Sequence, residues 1–474
     1  MLLVKDSAKS IFYKLYYSIS ANFLNLLISL VVSFIVPKLL GIEEYGYWQL
    51  YLFYVGYTGF FHFGLADGIY LRYGGKYYDE LDKSLMHSQI WLLITIEIFI
   101  FIGIAVFTIV NIENTKRSMI FLTVGLNCIL ILPRTVLQFI LQSTGRIREY
   151  ARNSIIERIL FIILILTFLF LGYQRFEYLI LSDILAKTVA LIGLCIICRD
   201  IIFTKGAKLT LGLHEFWINV STGSKLLFAN IAGMLIIGIV RFGIERNWDV
   251  ATFGKVSFSL SISNFILTFI AAISVVIFPI IKRSDSGKLQ IVYDTLGSLL
   301  SGCMLIFLVA FYPIQALLHL WLPHYYEAIQ YFSILFPISI FEARNSLLIN
   351  TYLKALREEK AMLAINGFSV LLSLITTVIV TIVFKDLTLA VISIVFLQMV
   401  KCVIPDLYLQ RKMKMRFSPE VLWDILGTVV FIFGNWIVRG IQGWVIYVGF
   451  IVLVGVIRRK EFLQHILRAK QFLL

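Results

Sequence analysis

Long apolar runs recur along the whole chain and alternate with short polar segments. About 20 apolar residues are needed to cross a bilayer as an α-helix, so each run of that length predicts a transmembrane span. The pattern predicts about 14 spans, at roughly 14–36, 46–68, 88–110, 118–142, 155–173, 177–198, 225–244, 254–280, 293–314, 328–352, 361–384, 386–408, 420–438 and 440–457. The expected fold is an all-α polytopic membrane protein.

The spans suggest a division of the chain into two bundles. We predict an N-terminal six-helix bundle over 1–200, a cytoplasmic linker over 201–224, a C-terminal six-helix bundle over 225–410, and two additional helices with a cytoplasmic tail over 411–474. The segments VPKLLGIEEYGYWQL and VRFGIERNWDVATFG, near the starts of the two bundles, share a cation after Val, an Ile-Glu pair and a later Gly. Two related half-bundles with a site between them are a common transporter plan.

Composition agrees with a membrane protein, and the charge predicts its orientation. Of the 474 residues, 59% are hydrophobic and only 15% are charged, against about 25% charged in soluble proteins. In a soluble chain, a net charge of +14 would suggest binding to nucleic acid. In a membrane protein, the positions of the basic residues along the chain predict the orientation instead. Each alternate segment on one side carries at least three Lys or Arg residues, and no loop on the other side carries more than two. The rule that basic loops stay inside places both termini in the cytoplasm, and no nucleic-acid partner is expected.

Five basic residues lie within the predicted spans. They are Arg134, Lys187, Arg241, Arg344 and Lys401. A charge at the bilayer centre costs about 2.5–3.5 kcal/mol on insertion scales, so these side chains are expected to face the interior or a water-filled cavity. Intramembrane acids partly offset them, namely Asp67, Glu97, Asp183, Glu245 and Glu342.

Structural alternatives exist for several of these cations. Lys187 lies four residues after Asp183, so a pair on one helix face could neutralise both charges. Arg241 and Lys401 lie near span ends, where their side chains could reach the lipid headgroups. Arg134 has no acidic residue within one helical turn.

Polar residues follow helical spacing along four spans. Steps of three and four residues place them on one face of each helix: Ser18, Asn22, Asn25, Ser29 and Ser33; Tyr47, Tyr51, Tyr54, Thr58 and His62; Arg134, Gln138 and Gln142; Ser257, Ser261, Asn264 and Thr268. Such stripes can be helix–helix contacts, because small polar side chains hydrogen-bond across membrane helices. The long polar side chains among them favour a hydrated cavity.

Asp67, Glu97 and His62 are candidates for coupling transport to an ion. The sequence does not choose between H⁺, Na⁺ and no ion, and His62 can also be an interior histidine without a proton role. No other cofactor is expected.

Walker A, zinc-ligand, nucleophile-elbow and GxGxxG motifs are absent from the sequence, which favours a transporter over an enzyme. Cys195 and Cys198 form a CxxC, which we interpret as small residues near a helix end rather than a redox or metal site.

A family resemblance follows from four segments. LLGIEEYGYWQL, FGLADGIYLRYG, LQSTGRIREYARNSIIERIL and VRFGIERNWDVATFGKVSFS resemble the polysaccharide-exporter branch of the multidrug/oligosaccharidyl-lipid/polysaccharide (MOP) superfamily, which includes the O-antigen and capsule repeat-unit flippases. The resemblance covers essentially all spans in order. The chain departs from a common family pattern at Val240, where an acid often precedes the arginine.

The resemblance implies two six-helix bundles in a V-shaped, MATE-like arrangement, plus two C-terminal helices. Spans one, two, seven and eight would line a central cavity that works by alternating access. The implied cargo is a polyprenyl-pyrophosphate-linked oligosaccharide, whose anionic head suits the planar fork of arginine. The expected substrate-binding residues are Arg134, Arg241, Arg344, Lys187, Lys401, Gln138, Asn25, Tyr51 and Tyr54.

The predicted function is a flippase of the bacterial inner membrane that serves O-antigen, lipopolysaccharide, capsule or exopolysaccharide synthesis. Its expected partners are the lipid-linked cargo, membrane lipids, and a polysaccharide polymerase with chain-length proteins. One alternative is a cation-coupled multidrug exporter of the same superfamily, although the intramembrane charges are not mainly acidic. Another is a polysaccharide polymerase or transferase, for which a large outside loop would be expected.

Overall fold

A computed structural model of the chain describes residues 32–263, 286–415 and 418–473. These residues are helical and contain no strand, which confirms the all-α prediction. The chain forms two compact units, with the boundary between Ile231 and Ala232.

The first unit contains six main helices and the beginning of a seventh. They are α1 (Ile42–Val55), α2 (Leu65–Tyr73), α3 (Lys83–Asn111), α4 (Thr115–Ser143), α5 (Ile147–Phe170), α6 (Phe176–Ile197) and α7 (Leu209–Asn247). Short helical turns lie at Val36–Leu39, Thr58–His62, Tyr78–Glu80 and Arg199–Ile202.

The second unit takes the end of α7 and the remaining helices. They are α8 (250–263), α9 (Ser286–Phe307), α10 (Phe311–Trp321), α11 (Tyr326–Leu335), α12 (Ile338–Arg344), α13 (Glu359–Val378), α14 (Leu387–Lys412), α15 (Glu420–Ile432) and α16 (Gly440–Leu473). π-Helical segments extend three of them, at Asn345–Ile349, Ile379–Val383 and Phe433–Val438.

Polar N-caps define where three long helices begin. Asp82 accepts hydrogen bonds at the start of α3, Asn114 at the start of α4 and Asp386 at the start of α14. Such side chains satisfy backbone N–H groups that have no partner inside the helix. Hydrogen bonds from Ser84 and the Leu85 amide lower the pKa of Asp82. These helix starts therefore follow from local sequence.

Twelve of the predicted spans lie mostly within the described residues, and all of them except 46–68 coincide with apolar helices. Ten helices there are long and apolar enough to cross a membrane, and the pair Pro323–Leu335 and Ile338–Ala355, bent by 44°, is an eleventh if counted as one span. The break contains Pro337, whose ring cannot supply a backbone N–H. Predicted spans 14–36 and 254–280 lie mostly outside the described residues, so the total of 14 stays a prediction.

The second predicted span, 46–68, is wrong as a continuous helix. A 3₁₀ turn at Thr58–His62 separates α1 from α2. Phe63 and Gly64 have positive φ angles of 52° and 91°, and a left-handed residue ends an α-helix. Hydropathy missed the break because it measures apolar content and not backbone conformation.

Backbone contact between α2 and α7 explains glycines in the segment FGLADGIYLRYG. A Cβ atom on Gly68 would lie 1.9 Å from the Asn219 carbonyl oxygen, and one on Gly223 would lie 2.0 Å from that of Gly64. Only glycine permits such an approach. Arg72 Nη1 donates to Asn219 Oδ1 across the same contact, at 2.7 Å.

Helix α7 continues through most of the predicted linker 201–224. Residues 209–224 are its first part, so only 203–208 are non-helical between Arg199–Ile202 and α7. The hydropathy pattern assigned the amphipathic first part of α7 to a linker and only its apolar second part to a span. The boundary between the units also lies within α7, and the predicted domain limits remain predictions.

The first unit buries apolar side chains on facing helices and exposes others outward. Leu65 of α2, Ile90 of α3 and Val136 of α4 belong to one buried cluster. The other side of α3 exposes Phe99 and Ile109, at 69% and 77%. Exposed apolar faces on long helices are typical of contact with lipid.

Aromatic rings form part of the second unit's core. The Phe311 ring centroid lies 5.4 Å from that of Phe332 and 5.1 Å from that of Phe431. Phe336 lies 5.0 Å from Phe332. These rings join α10, α11 and α15 into one packed group.

Candidate functional site

Tyr51, Asn127, Asp183 and Lys187 form a buried polar ring in the first unit. Tyr51 Oη donates to Asp183 Oδ2 at 2.6 Å, and Asn127 Nδ2 donates to Tyr51 Oη at 2.6 Å. Lys187 Nζ donates to Asn127 Oδ1 at 3.3 Å and forms an ion pair with Asp183. The ring joins α1, α4 and α6, and the pair predicted by the four-residue spacing is present.

Arg134 of α4 pairs with Glu157 of α5. Its Nη2 atom donates to Glu157 Oε2, and one turn away Gln138 Nε2 donates to Ser154 Oγ at 3.3 Å. The antiparallel hairpin places these positions side by side.

We call these residues together the first-unit cluster: Tyr51, Asn127, Arg134, Glu157, Asp183 and Lys187. The four charged side chains are 6–12% exposed and comprise two cations and two carboxylates. A buried charge without a partner is costly, so the balance makes burial possible. Another anion beside Arg134 or Lys187 would add negative charge next to the existing carboxylate, so we expect its binding to displace or neutralise that carboxylate.

Arg344 lies in a more enclosed group in the second unit. Its Nη1 atom lies 3.1 Å from Asp424 Oδ2, and its Nη2 atom lies 3.5 Å from Asp406 Oδ1. Tyr293 donates to Asp406 at 2.5 Å, and Ser301 donates to Asp424 at 2.6 Å. These three charged side chains are 1–2% exposed. We call Arg344, Asp406, Asp424, Tyr293 and Ser301 the second-unit cluster.

The remaining two intramembrane cations also have partners. Lys401 Nζ lies 3.2 Å from Glu342 Oε1, which accepts from Gln398 at 2.5 Å. Arg241 Nη2 donates to Ser257 Oγ at 3.0 Å, and its guanidinium lies 5.3 Å from the Phe253 ring centroid. Neighbouring helices therefore supply the partners that the three arginines lack within their own helical turns. Their roles in substrate binding stay predictions.

Two aromatic residues of the second polar stripe contact neighbouring helices. Tyr47 stacks on Phe176 at 5.1 Å, and Tyr54 packs on Phe121 at 4.7 Å. Thr58 lies beyond the break after α1 and donates to the Val55 carbonyl oxygen. For Tyr47 and Tyr54 these are helix–helix contacts, and the hydrated cavity stays a prediction. Asn25, with the rest of its stripe except Ser33, lies outside the described residues, as do Asn264 and Thr268.

The three candidates for ion coupling occupy two places. His62 Nδ1 accepts from the Gly64 amide at 3.0 Å, and its Nε2 atom lies 3.9 Å from Asp67 Oδ2. Glu97 of α3 is fully buried, and both carboxylate oxygens lack a hydrogen-bond partner within the described part of the chain. Burial without a partner distinguishes Glu97 from the paired acids.

The CxxC residues lie at the C-terminal end of α6. Cys195 is half-buried and Cys198 is buried, and both are free thiols. No group of three or more potential metal ligands occurs among the residues that the structure describes.

Sequence reasoning missed the acids that complete the two clusters. Glu157 and Arg134 lie at nearly equal distances along the chain from the turn at Gly145, so hairpin symmetry could have paired them. Asp406 and Asp424 carry no such signal, because they lie on later helices far from Arg344 in sequence.

Comparison by sequence finds no relative: no protein-family model matches the chain, and no curated protein matches it. Solved structures match by fold. Lipid II flippase MurJ in an inward closed conformation aligns with a TM-score of 0.66 and 15% identity, over 95% of this chain and 99% of that chain. An inward-facing multidrug resistance MATE family transporter of the MOP superfamily aligns with a TM-score of 0.61 and 15% identity, over 83% of this chain and 94% of that chain. The chain is thus a multi-pass membrane protein with the fold of MOP-superfamily transporters.

Proposed function

We propose that this protein is a flippase for polyprenyl-pyrophosphate-linked oligosaccharides. The observation that carries the proposal is the fold shared with a lipid II flippase over nearly the full length of both chains. The resemblance of the quoted segments to polysaccharide exporters supports the same substrate class. The proposal includes alternating access, a bacterial inner membrane, and service to O-antigen, capsule or exopolysaccharide synthesis beside a polymerase and chain-length proteins.

Exchange of anionic partners is the proposed role of the first-unit cluster. A pyrophosphate offers several oxygens to the guanidinium of Arg134 and the ammonium of Lys187. When it replaces a carboxylate, Asp183 keeps its hydrogen bond from Tyr51. The empty protein then holds balanced ion pairs, and the loaded protein holds a cation–pyrophosphate contact.

The cations of the second unit have different proposed roles. Arg241 is half-buried and donates to the Ser257 hydroxyl, and its guanidinium is a further proposed contact for the anionic head. Lys401 and Gln398 both donate to Glu342. Lys401 would exchange this carboxylate for the pyrophosphate in the same way as Lys187. Arg344 touches two enclosed carboxylates, and we assign it a structural role.

Surface polysaccharide in the source strain tests the proposal. A strain lacking the gene should lose surface polysaccharide and accumulate the lipid-linked oligosaccharide on the cytoplasmic side, and the wild-type gene should restore export. A variant with Arg134→Ala and Lys187→Ala should restore less than a tenth of it at equal protein level. Thr188→Ala is the matched control, since its hydroxyl donates to the Ile184 carbonyl oxygen of its own helix. Full export by the double variant would refute the assigned site.

Reporter fusions test the proposed orientation, with both termini in the cytoplasm. A periplasmic reporter should be active after residue 113 and inactive after residue 206. Activity in the opposite order would reverse the topology.

A cation-coupled multidrug exporter is the second candidate, supported by the fold shared with the MATE family transporter. Glu97, buried without a hydrogen-bond partner in the described residues, would then exchange a proton or a sodium ion. Expression should raise resistance to cationic drugs, and Glu97→Gln should abolish that resistance. Drug resistance without any effect on surface polysaccharide would favour this function over the flippase.

A further inference from the structure

An open pocket of about 490 Å³ lies at one end of the second unit. Residues of α10, α11, the segment Phe433–Val438 and the start of α16 line it. None of its lining residues belongs to either charged cluster. Under the orientation predicted from the basic loops, this end faces the outside of the membrane.

The lining combines aromatic rings, amides and one cation. Tyr326 and Trp444 are 54% and 42% exposed, so their rings are available to a ligand. Gln315, Gln330 and Asn435 supply amides, and Arg439 supplies the guanidinium. No carboxylate occurs among the described lining residues.

Two of the polar side chains, Asn435 and Arg439, are held by hydrogen bonds within the fold. Asn435 Nδ2 donates to Tyr312 Oη at 3.2 Å, and Arg439 Nε donates to the Trp436 carbonyl oxygen at 2.9 Å. The Trp436 ring stacks on Tyr331 at 5.8 Å. The pocket is therefore arranged before a ligand arrives, which lowers the entropy cost of binding.

The backbone at this end has unusual geometry. Phe433–Val438 is π-helical, and Arg439 follows it with φ 62° and ψ 169°. That combination is almost confined to glycine, and such strained residues and π-bulges cluster at functional sites. The Gly434 and Gly443 backbones meet so closely that a Cβ atom on Gly443 would lie 2.1 Å from the Gly434 carbonyl oxygen. This contact closes the α15–α16 hairpin behind the pocket.

We propose that this pocket is a saccharide-binding site, distinct from the charged clusters, that takes the oligosaccharide of the cargo on the outer side. Aromatic faces pack against the C–H faces of sugar rings, and amides bond the hydroxyl groups. The single arginine suits an acidic sugar or a phosphate substituent. The cargo's identity rests on the proposed function, whereas the pocket's chemistry does not.

Calorimetry on the purified full-length protein in detergent tests the site. The probe is the water-soluble oligosaccharide released by mild acid from the lipid-linked pool of the source strain. We expect the wild-type protein to bind the oligosaccharide. Tyr326→Ala and Trp444→Ala should each raise Kd at least tenfold. Arg439→Gln should weaken binding about threefold for a neutral oligosaccharide and more for an acidic one.

Trp217→Ala is the matched control, because Trp217 is an exposed tryptophan of α7 in the first unit, at 64%. It should leave Kd unchanged, and melting temperatures should show that all variants fold. No binding by the wild type, or equal binding by the pocket variants, would overturn the proposal. Binding of polyprenyl phosphate but not of the oligosaccharide would also overturn it and indicate a lipid site.

The two proposals can fail separately. Calorimetry with the soluble oligosaccharide requires no transport, whereas the flippase proposal is tested by export from cells. Saccharide binding without any export phenotype would retain the pocket and reject the flippase.

Discussion

The two charged clusters balance their buried charges in different ways. In the first unit, Arg134 and Lys187 each have one carboxylate partner and side chains that are 11–12% exposed. In the second unit, Arg344 touches two carboxylates and is 2% exposed at its side chain. A one-to-one pair at a partly accessible position can change partners, whereas a cation enclosed by two acids cannot do so without a large cost.

This difference suggests that depth in the membrane alone does not identify a substrate ligand. All five cations lie within predicted spans, yet their surroundings separate them. Accessibility and the number of competing carboxylates decide which cation is available to a substrate.

Arg344→Ala should cause the largest loss of stability. The change leaves Asp406 and Asp424 buried without their cation, and removal of one partner from a buried pair costs about 3–5 kcal/mol. We expect little folded protein after detergent extraction, measured by fluorescence-detected size exclusion. Arg411→Ala, on an exposed arginine of α14, is the control.

Neutralising the acids should reverse that effect. Arg344→Met combined with Asp406→Asn and Asp424→Asn should fold better than Arg344→Ala alone, because no buried charge is left. If Arg344→Ala instead folds normally and abolishes export, Arg344 is a ligand and the contrast between the clusters fails.

Exchange of Arg134 and Glu157 should separate stability from function. Arg134→Glu or Glu157→Arg alone places like charges together and should destabilise the first unit by about 3–5 kcal/mol. The double swap should recover most of the melting temperature but not export, since the cation then lies on α5. Restored export in the swap would show that the pair acts only structurally.

Lys187→Ala should cost less stability than either change above. Asp183 keeps its hydrogen bond from Tyr51, so we expect a loss of about 1–3 kcal/mol. Export should fall at least tenfold while protein level stays near normal, measured by immunoblot beside surface polysaccharide. Equal export by Lys187→Ala and the wild type would exclude Lys187 as a ligand.

Tyr51→Phe should have the smallest effect on export, because both proposed ligands keep their charge. It removes the hydroxyl that donates to Asp183 and accepts from Asn127, and we expect a stability loss of about 1.5–3 kcal/mol. The ring still packs on Trp48 at 5.4 Å, so folding should persist with export reduced a few-fold. A loss as severe as that of Arg344→Ala would mean that the first-unit cluster is as rigid as the second.

The sequence predicted features that depend on neighbouring residues. Apolar runs gave the positions of α3, α4, α6 and α14, because span length is set by bilayer thickness. Asp183 and Lys187 were paired correctly because four residues make about one helical turn. The hydropathy pattern did not reveal the break between α1 and α2, since the left-handed conformations of Phe63 and Gly64 are backbone properties.

The sequence by itself determined the all-α membrane fold and the local ion pair between Asp183 and Lys187. It also determined which charged residues lie within apolar spans. Only the tertiary structure decided which cation meets which acid: Glu157 lies on the next helix from Arg134, whereas Asp406 and Asp424 lie far along the chain from Arg344. The reason is physical. The helical period relates residues within about one turn, and hydropathy describes a single span. Buried charges meet their partners through the packing of different helices, which cannot be read from the order of residues.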